Sequence, residues 1–277
     1  MNEATSDRSG LWLPLLRRLT EVSPTWVVWK NVESALFGTG DIDCAAAQLE
    51  WPRIEEEFRL WAVERELGPV VVCRHIPGGL NLVAIPEAMQ TFLEMGVKST
   101  RIFRGSVLFT LDDLASLIEM DPRGFRRIRR GAEGFFKLLL NGTRWGGRPN
   151  WNGLREKHVA ELLREDPEGA RMAARLLGVA ERVGVAGAER AASGGWDFPA
   201  MFLVDAWCLL RGLARPVVTL RRAWFRLYTR TACPVVSAIL RGKRMIPADR
   251  ERWISKVASG HQVYGRDVYG RAFEAGN

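Results

Sequence analysis

The chain has 277 residues, 47% of them hydrophobic and 26% charged, and its formal net charge is +8. This composition is typical of one large or two ordinary globular domains and excludes an intrinsically disordered chain. The four cysteines are scattered without C-x-x-C spacing, which argues against a zinc site or a disulfide framework and favours buried thiols in a reducing compartment.

The first hundred residues alternate between helical and strand patterns. A polar amino terminus precedes a helical "GLWLPLLRRLTEV", so neither a secretory signal nor a membrane span is expected, and the chain is predicted to be cytoplasmic. Residues 26–29 ("WVVW") predict a buried strand, "KNVESALFGTG" a short helix and turn, and "DIDCAAA" the next strand. A helix over "WPRIEEEFRLWAVEREL", a hairpin over "PVVVCRH", "PGG" and "LNLVAI", and a strand over "TRIFRGSVLFT" follow.

From "LDDLASLIEM" onward, helical patterns dominate and strand signals are nearly absent. "RGFRRIRRGAEGFFKLLLNG" predicts one long helix that ends at Asn141 and Gly142, and further helical stretches follow with caps or glycine breaks between them. The sequence therefore predicts an α+β protein with a boundary near "TLDD". Residues 1–109 would form a mixed sheet with helices, and residues 110–277 an all-α domain.

The D-x-D motif after the glycine-rich turn is the first candidate site. In a strand, Asp41 and Asp43 project from one face while Ile42 and Cys44 point into the protein. Two adjacent carboxylates repel each other, and Mg²⁺ is a cation that prefers carboxylate oxygens together with substrate phosphates. The motif alone is weak evidence, because solvated turn residues would have the same spacing.

The sequence around the motif resembles the polymerase-beta-like nucleotidyltransferases, in which a strand, a helix opening and a D-x-D on a neighbouring strand follow in this order. It is most similar to a bacterial branch with a Trp-Lys-Ser/Asn element and a Gly-x-x-Asp-Leu/Ile-Asp motif, matched here by residues 29–31 and 38–43. The resemblance implies transfer of a nucleoside monophosphate from a nucleoside triphosphate, such as ATP, to a hydroxyl acceptor. Asp41 and Asp43 would then hold catalytic Mg²⁺.

The same resemblance implies further binding residues. Lys30, Asn31, Gly38 and Gly40 would shape the phosphate end of the nucleotide pocket. Lys137, on the first helix of the second domain, would approach the triphosphate across the cleft, although a solvated helix face would also explain it.

Two positions depart from the family pattern. Lys30 and Asn31 replace the usual Gly-Ser or Gly-Gly, and the lysine would supply positive charge instead of close backbone approach. The third acid of the family, flanked by apolar residues on a later strand, is best matched by Asn81. An amide can bind a metal through its carbonyl oxygen but cannot accept a proton, which leaves the general base unassigned, with His75 as one alternative. A catalytically impaired nucleotide- or RNA-binding protein on the same fold is therefore the alternative function.

Two other enzyme classes also use D-x-D. Glycosyltransferases normally carry it deeper in the chain, after a longer nucleotide-binding unit. Haloacid-dehalogenase-type phosphatases need downstream lysine and acidic motifs that are not evident here. Both rank below the nucleotidyltransferase interpretation.

All of the net charge lies in the second half of the chain. Residues 1–150 carry 19 basic and 19 acidic side chains, whereas residues 151–277 carry 21 and 13. The segment from Ala206 to Ala248 has nine Lys or Arg and no acid, and within it "RPVVTLRRAWFRLYTR" predicts a basic amphipathic helix. Its arginines could contact tRNA or other RNA, the helix could lie on an anionic membrane surface, or its apolar face could pack in the helical domain with the arginines solvated.

Overall fold

The computed structural model describes residues 7–76, 78–87, 89–232, 245–255 and 271–273. The protein has a mixed α+β architecture, as the sequence predicts, and it divides into two compact units. The first unit comprises residues 1–99, 122–125 and 220–277, and the second comprises residues 100–121 and 126–219. The boundary between the units follows Ser99, and residues 220–277 group with the first unit rather than with the helical second unit.

The first unit alternates helices and strands, as the sequence predicts. Its elements in chain order are α1 (Ser9–Val22), β1 (Val27–Lys30), α2 (Val32–Leu36), β2 (Ile42–Ala45), α3 (Trp51–Glu64), β3 (Val70–Ile76), β4 (Gly79–Ala84) and β5 (Leu93–Lys98). The short segment Arg271–Phe273 pairs with β3 at the edge of the sheet. Strand β5 was not predicted, although Leu93, Met95 and Val97 alternate with polar residues or glycine as strand residues do.

The sheet of the first unit is mixed, with strand order β3-β4-β5-β2-β1. Strands β2 and β5 are parallel, and the other neighbouring pairs in this order are antiparallel. Because side chains alternate between faces, one face of the sheet carries apolar residues such as Ile42 and Met95, which pack in the main core with α1 and α3. In that core the rings of Trp12 and Trp61 stack with their centroids 4.9 Å apart.

The opposite face of the same sheet is divided between two environments. Toward β3 it carries a small apolar cluster that includes Val71, Cys73 and Val83, with Trp253 and Ile254 packed against it. Toward β2 and β1 it carries Asp43 and Lys30, which lie opposite each other, next to the apolar pair Val27 and Ala45. The polar part of this face therefore interrupts an otherwise apolar sheet.

The second unit is mainly helical but also contains strands. Its elements are β6 (Thr100–Phe103), β7 (Ser106–Thr110), α4 (Leu111–Ala115), β8 (Ile118–Met120), β9 (Arg126–Ile128), α5 (Arg130–Leu140), α6 (Gly153–Glu165), α7 (Pro167–Ala174), α8 (Glu181–Ala192) and α9 (Phe198–Leu213). Helix α10 (Pro216–Ala232) begins here and continues into residues grouped with the first unit.

Two predictions for this part of the chain were wrong. "TRIFRGSVLFT" forms the hairpin β6–β7 rather than one strand, because Arg104 and Gly105 both adopt positive φ and reverse the chain. The predicted long helix over residues 123–142 contains β9 and then the shorter α5. In "FRRI" the apolar Phe125 and Ile128 are three residues apart, which is helical spacing, so pairing with β8 rather than local periodicity makes β9 a strand.

A buried ionic network links β9 to α5 in the second unit. The guanidinium of Arg127 donates to Asp121 at 3.2 Å and to Glu133 at 3.0 Å, and Lys137 lies 2.7 Å from the other oxygen of Glu133. All four side chains are buried. Two cations therefore balance two carboxylates, which a buried network requires.

We predict that Arg127→Met destabilises the protein by about 3–5 kcal/mol, because it leaves Asp121 buried without its guanidinium partner. The exposed Arg148 provides a matched control, and Arg148→Met should change the unfolding free energy little. Chemical denaturation of both variants measures the difference. Equal stability of the two variants would contradict a structural role for the network.

Candidate active site

The turn before β2 presents Asp41 and Asp43 on the polar face of the sheet. Gly38 and Gly40 have φ values of 85° and 94°, a conformation that side chains other than glycine rarely adopt, and they let the chain return from α2 into β2. Ile42 is fully buried in the main core. The predicted opposite orientation of the aspartates and their apolar neighbours is therefore confirmed.

The two carboxylates converge on one side chain. The amide nitrogen Nδ2 of Asn31 donates to Oδ1 of Asp41 at 3.3 Å and to Oδ2 of Asp43 at 3.1 Å. Asn31 adopts a left-handed conformation with φ of 69°, which asparagine tolerates better than most residues. This conformation at the start of α2 places the amide between the aspartates.

Lys30 supplies the neighbouring positive charge. It lies opposite Asp43 in the β1–β2 ladder, and its Nζ is 2.8 Å from Oδ2 of Asp43. Lys30 and Asp43 are only 8% and 7% exposed. A pair this deeply buried interacts more strongly than a surface salt bridge, because less water screens it.

Glycine at position 96 separates Asp43 from Asn81 across three strands. Asp43 pairs with Gly96 in the parallel β2–β5 register, and Asn81 pairs with Gly96 in the antiparallel β4–β5 register. A Cβ at position 96 would lie 3.4 Å from Oδ1 of Asp43 and 3.6 Å from Nδ2 of Asn81. The missing side chain therefore leaves a gap between the two polar groups.

Glu94 is a buried carboxylate that the sequence reasoning missed. It is 1% exposed and accepts a hydrogen bond from Nδ2 of Asn81 at 2.7 Å, while Lys98 donates to Oδ1 of Asn81 at 3.0 Å. In the parallel register Ile42 pairs with Met95. The preceding residues of the two strands, Asp41 and Glu94, therefore lie side by side. The alternation over residues 93–98 was the sequence signal that could have identified it.

We call these polar residues the sheet-face cluster: Lys30, Asn31, Asp41, Asp43, Asn81, Glu94 and Lys98. The cluster contains three carboxylates and two ammonium groups, so its acids outnumber its bases by one. Carboxylate and amide oxygens are the ligands that Mg²⁺ prefers. The arrangement therefore has a donor set and a charge that suit a divalent cation, with two amines that suit phosphate oxygens.

Cys44, the residue after Asp43, is not a reactive group of this site. Burial, followed by the negative charge of Asp43, raises the pKa of the Cys44 thiol well above its usual range. Burial also raises the pKa of Cys208 to about 11. Both thiols are protonated at neutral pH, so neither is a reactive nucleophile.

Lys137 belongs to the second unit, whereas the residues of the sheet-face cluster belong to the first. Its Nζ is 2.7 Å from Glu133 and 2.8 Å from Nε2 of His158. Burial, and then the positive charge of Lys137, lowers the pKa of His158. Neutral His158 therefore accepts a hydrogen bond from the ammonium group, and an approach of Lys137 to a triphosphate stays a prediction.

Some of the sequence-based candidates fall partly outside the described part of the structure. The side chain of His75 is not among the described residues, nor are the side chains of Arg222 and Arg226 in the basic helix. The same holds for the side chain of Arg230 and for residues 233–244, which contain three further cations of the acid-free segment.

The contacts of Asn81 predict the effect of a new carboxylate at that position. Asn81→Asp replaces the donor to buried Glu94 with a second anion, so we expect a loss of about 1–3 kcal/mol of stability at neutral pH. Repulsion raises the folded-state pKa of the pair above its unfolded value. The deficit should therefore be small near pH 4, about the ordinary pKa of a carboxyl group, and grow as the pH rises above it.

The control for this prediction is the same chemical change at a helix start. Asn152 caps α6 by accepting from the backbone N–H of Arg155 at 3.0 Å, so Asn152→Asp should be neutral or stabilising. Thermal or denaturant unfolding at several pH values measures both variants. A pH-independent effect of Asn81→Asp would show that Glu94 is not its partner.

Within the described residues, no group of three His, Cys, Asp or Glu side chains is arranged to hold a metal ion, and no helix has the length and hydropathy to cross a bilayer. The chain matches no protein-family model, no curated protein and no solved structure.

Proposed function

We propose that the chain is a Mg²⁺-dependent nucleotidyltransferase that moves a nucleoside monophosphate from a nucleoside triphosphate to a hydroxyl acceptor. The observation that carries the proposal is the convergence of Asp41 and Asp43 on a single point. One atom, Nδ2 of Asn31, lies within 3.3 Å of an oxygen from each carboxylate. Two carboxylate oxygens that share one small donor are also positioned to share one small cation.

The donors around this point fit a hard divalent ion. Asp41 and Asp43 would hold it, and the amide of Asn31 would give up its hydrogen bonds to them as the ion binds. When bound, the ion neutralises charge on the reacting α-phosphate and on the leaving pyrophosphate. A third donor would have to come from a side-chain rotation, because no three acidic groups converge among the described residues.

Lys30 would bind the phosphates once a cation neutralises Asp43. Its ammonium lies 2.8 Å from Asp43, next to the place where the triphosphate would meet the metal ligands. Asn31 stands at the second position of the family's Gly-Ser or Gly-Gly, and its positive φ is a conformation that the glycine of Gly-Gly would also adopt readily. Gly38 and Gly40 contribute the turn that brings Asp41 next to Asn31.

Glu94 is our candidate for the third acid and for the general base. It stands between Leu93 and Met95 on a later strand, which is the pattern that the family resemblance implies and which Asn81 satisfied only as an amide. Its carboxylate can take the proton from the acceptor hydroxyl as that hydroxyl attacks the α-phosphate. Asn81 would orient Glu94 through its 2.7 Å hydrogen bond.

A second candidate function is a nucleotide-binding protein without turnover. The observation that favours it is the same Lys30–Asp43 pair, because a buried ammonium 2.8 Å from the carboxylate already neutralises it as a cation would. In that case Lys30 would take the place of the metal rather than bind phosphate.

The nucleotidyltransferase proposal predicts that substitutions of Asp43 and Glu94 impair different steps, namely metal binding and proton transfer. Asp43→Asn should abolish both label transfer and Mg²⁺-dependent triphosphate binding, because it removes a metal ligand. Glu94→Gln should lower transfer by about 10²–10⁴-fold while retaining triphosphate binding, because it removes only proton transfer. The assay incubates the chain with each α-labelled nucleoside triphosphate, Mg²⁺ and a cell extract.

The exposed Asp112 in α4 provides a matched control, and Asp112→Asn should behave as wild type. Absence of transfer by the wild-type chain with all four nucleoside triphosphates would refute the nucleotidyltransferase proposal. Full transfer by folded Asp43→Asn would refute the site.

Lys30→Gln separates the two candidate functions. If Lys30 binds phosphate, the variant should bind nucleoside triphosphate more weakly, by about tenfold, and should still require Mg²⁺. If Lys30 replaces the metal, wild-type binding should be independent of Mg²⁺, and the variant should acquire Mg²⁺ dependence. Calorimetric titration of triphosphate with and without Mg²⁺ distinguishes these results.

A further inference from the structure

Helix α10 carries an apolar stripe that is exposed to solvent. Val217, Leu220, Trp224 and Leu227 are spaced by three or four residues, so they lie on one face of the helix. These four side chains are 63–74% exposed. The sequence left open whether this face packs in the helical domain, and the structure places it in solvent instead.

The exposed apolar surface begins before α10. Leu210 and Leu213 in the last turns of α9 are 62% and 64% exposed. Single exposed leucines are ordinary, but six large apolar side chains exposed within eighteen residues of two consecutive helices indicate an interaction surface.

The positive charge of the segment that contains α10 indicates the charge of its partner. Between Ala206 and Ala248 the sequence has nine Lys or Arg and neither Asp nor Glu. Arg215, directly before α10, and Arg221, in its second turn, are both exposed. A partner must therefore offer apolar contact and negative charge on the same surface.

This combination favours one class of partner over two others. RNA phosphates would neutralise the arginines but would leave the leucines and Trp224 in water. A second copy of the chain would cover the apolar stripe but would bring two acid-free basic helices together. An anionic lipid surface offers acyl chains for the stripe and headgroup charge for the arginines.

We propose that α10 is an interfacial helix that binds anionic phospholipid membranes, with Val217, Leu220, Trp224 and Leu227 inserted at the acyl-chain boundary. The proposal does not depend on nucleotidyl transfer, because α10 contributes no residue to the sheet-face cluster. The helix lies in the plane of the interface, so a membrane span is not needed.

Vesicle co-sedimentation of the full chain tests the proposal. Vesicles of phosphatidylcholine with about 30% phosphatidylserine should bind the chain at about 0.15 M salt, and pure phosphatidylcholine should bind it at least about tenfold more weakly. The double variant Leu220→Gln, Leu227→Gln keeps every charge and removes apolar area. It should reduce binding to the anionic vesicles by about tenfold or more.

The matched control replaces two leucines elsewhere that are even more exposed than Leu220 and Leu227. Leu49 and Leu154 are 94% and 84% exposed, and the double variant Leu49→Gln, Leu154→Gln should bind vesicles as wild type does. Both double variants should keep the melting temperature of the wild type, because exposed leucines contribute little to packing. A melting temperature lowered by several degrees only in the α10 variant would show that another part of the chain covers the stripe and would overturn the proposal.

Other results would also overturn it. Absence of binding to anionic vesicles, or equal binding by both double variants, contradicts an inserted stripe. Binding of tRNA without vesicle binding, unchanged in the α10 variant, would assign the arginines to RNA. A dimer in sedimentation that the α10 variant dissociates, without vesicle binding, would assign the stripe to a second copy of the chain.

Discussion

The parallel pairing of β2 with β5 determines how Asp43 of β2 lies relative to Glu94 and Lys98 of β5 in the sheet-face cluster. Because Ile42 pairs with Met95, the apolar residues of both strands enter the core, and Asp43 faces Gly96 on the other side. A slip of one residue would turn the carboxylates of β2 into the core and its apolar residues outward. The burial of the core residues thus fixes the β2–β5 register. This register places Asp41 next to Glu94 across the two strands.

Among the described residues, the sheet-face cluster and the ionic network of the second unit differ in their charge balance. In the second unit, Arg127 and Lys137 match Asp121 and Glu133 one for one, as a structural network requires. In the sheet-face cluster, three carboxylates meet only two amines, and glycine at position 96 leaves a gap beside them. The sheet-face cluster therefore holds the donors to which we assign the proposed Mg²⁺, whereas the balanced network of the second unit is structural.

Helix α10 differs from both clusters because those of its charged and apolar side chains that the structure describes are exposed rather than buried. Its arginines lie in an acid-free segment, and its apolar stripe, which includes Leu220 and Trp224, is in solvent rather than in a core. Such a surface lowers its free energy only when an apolar and anionic phase covers it. The two proposals therefore concern separate residues, with chemistry assigned to the sheet face and localisation assigned to α10.

The sequence by itself determined the features that depend on local patterns. Periodicity and turn residues predicted β1, α2, β2 and the β3–β4 hairpin, and alternation placed Asp41 and Asp43 on one face. Only the tertiary structure decided which distant residues join them. Glu94 lies about fifty residues from Asp43, in a strand whose glycine and charged residues have weak strand propensity, so pairing with β2 and β4 rather than local preference makes it a strand. The exposure of the α10 stripe is equally non-local, because an amphipathic pattern is identical whether its apolar face meets a core or solvent.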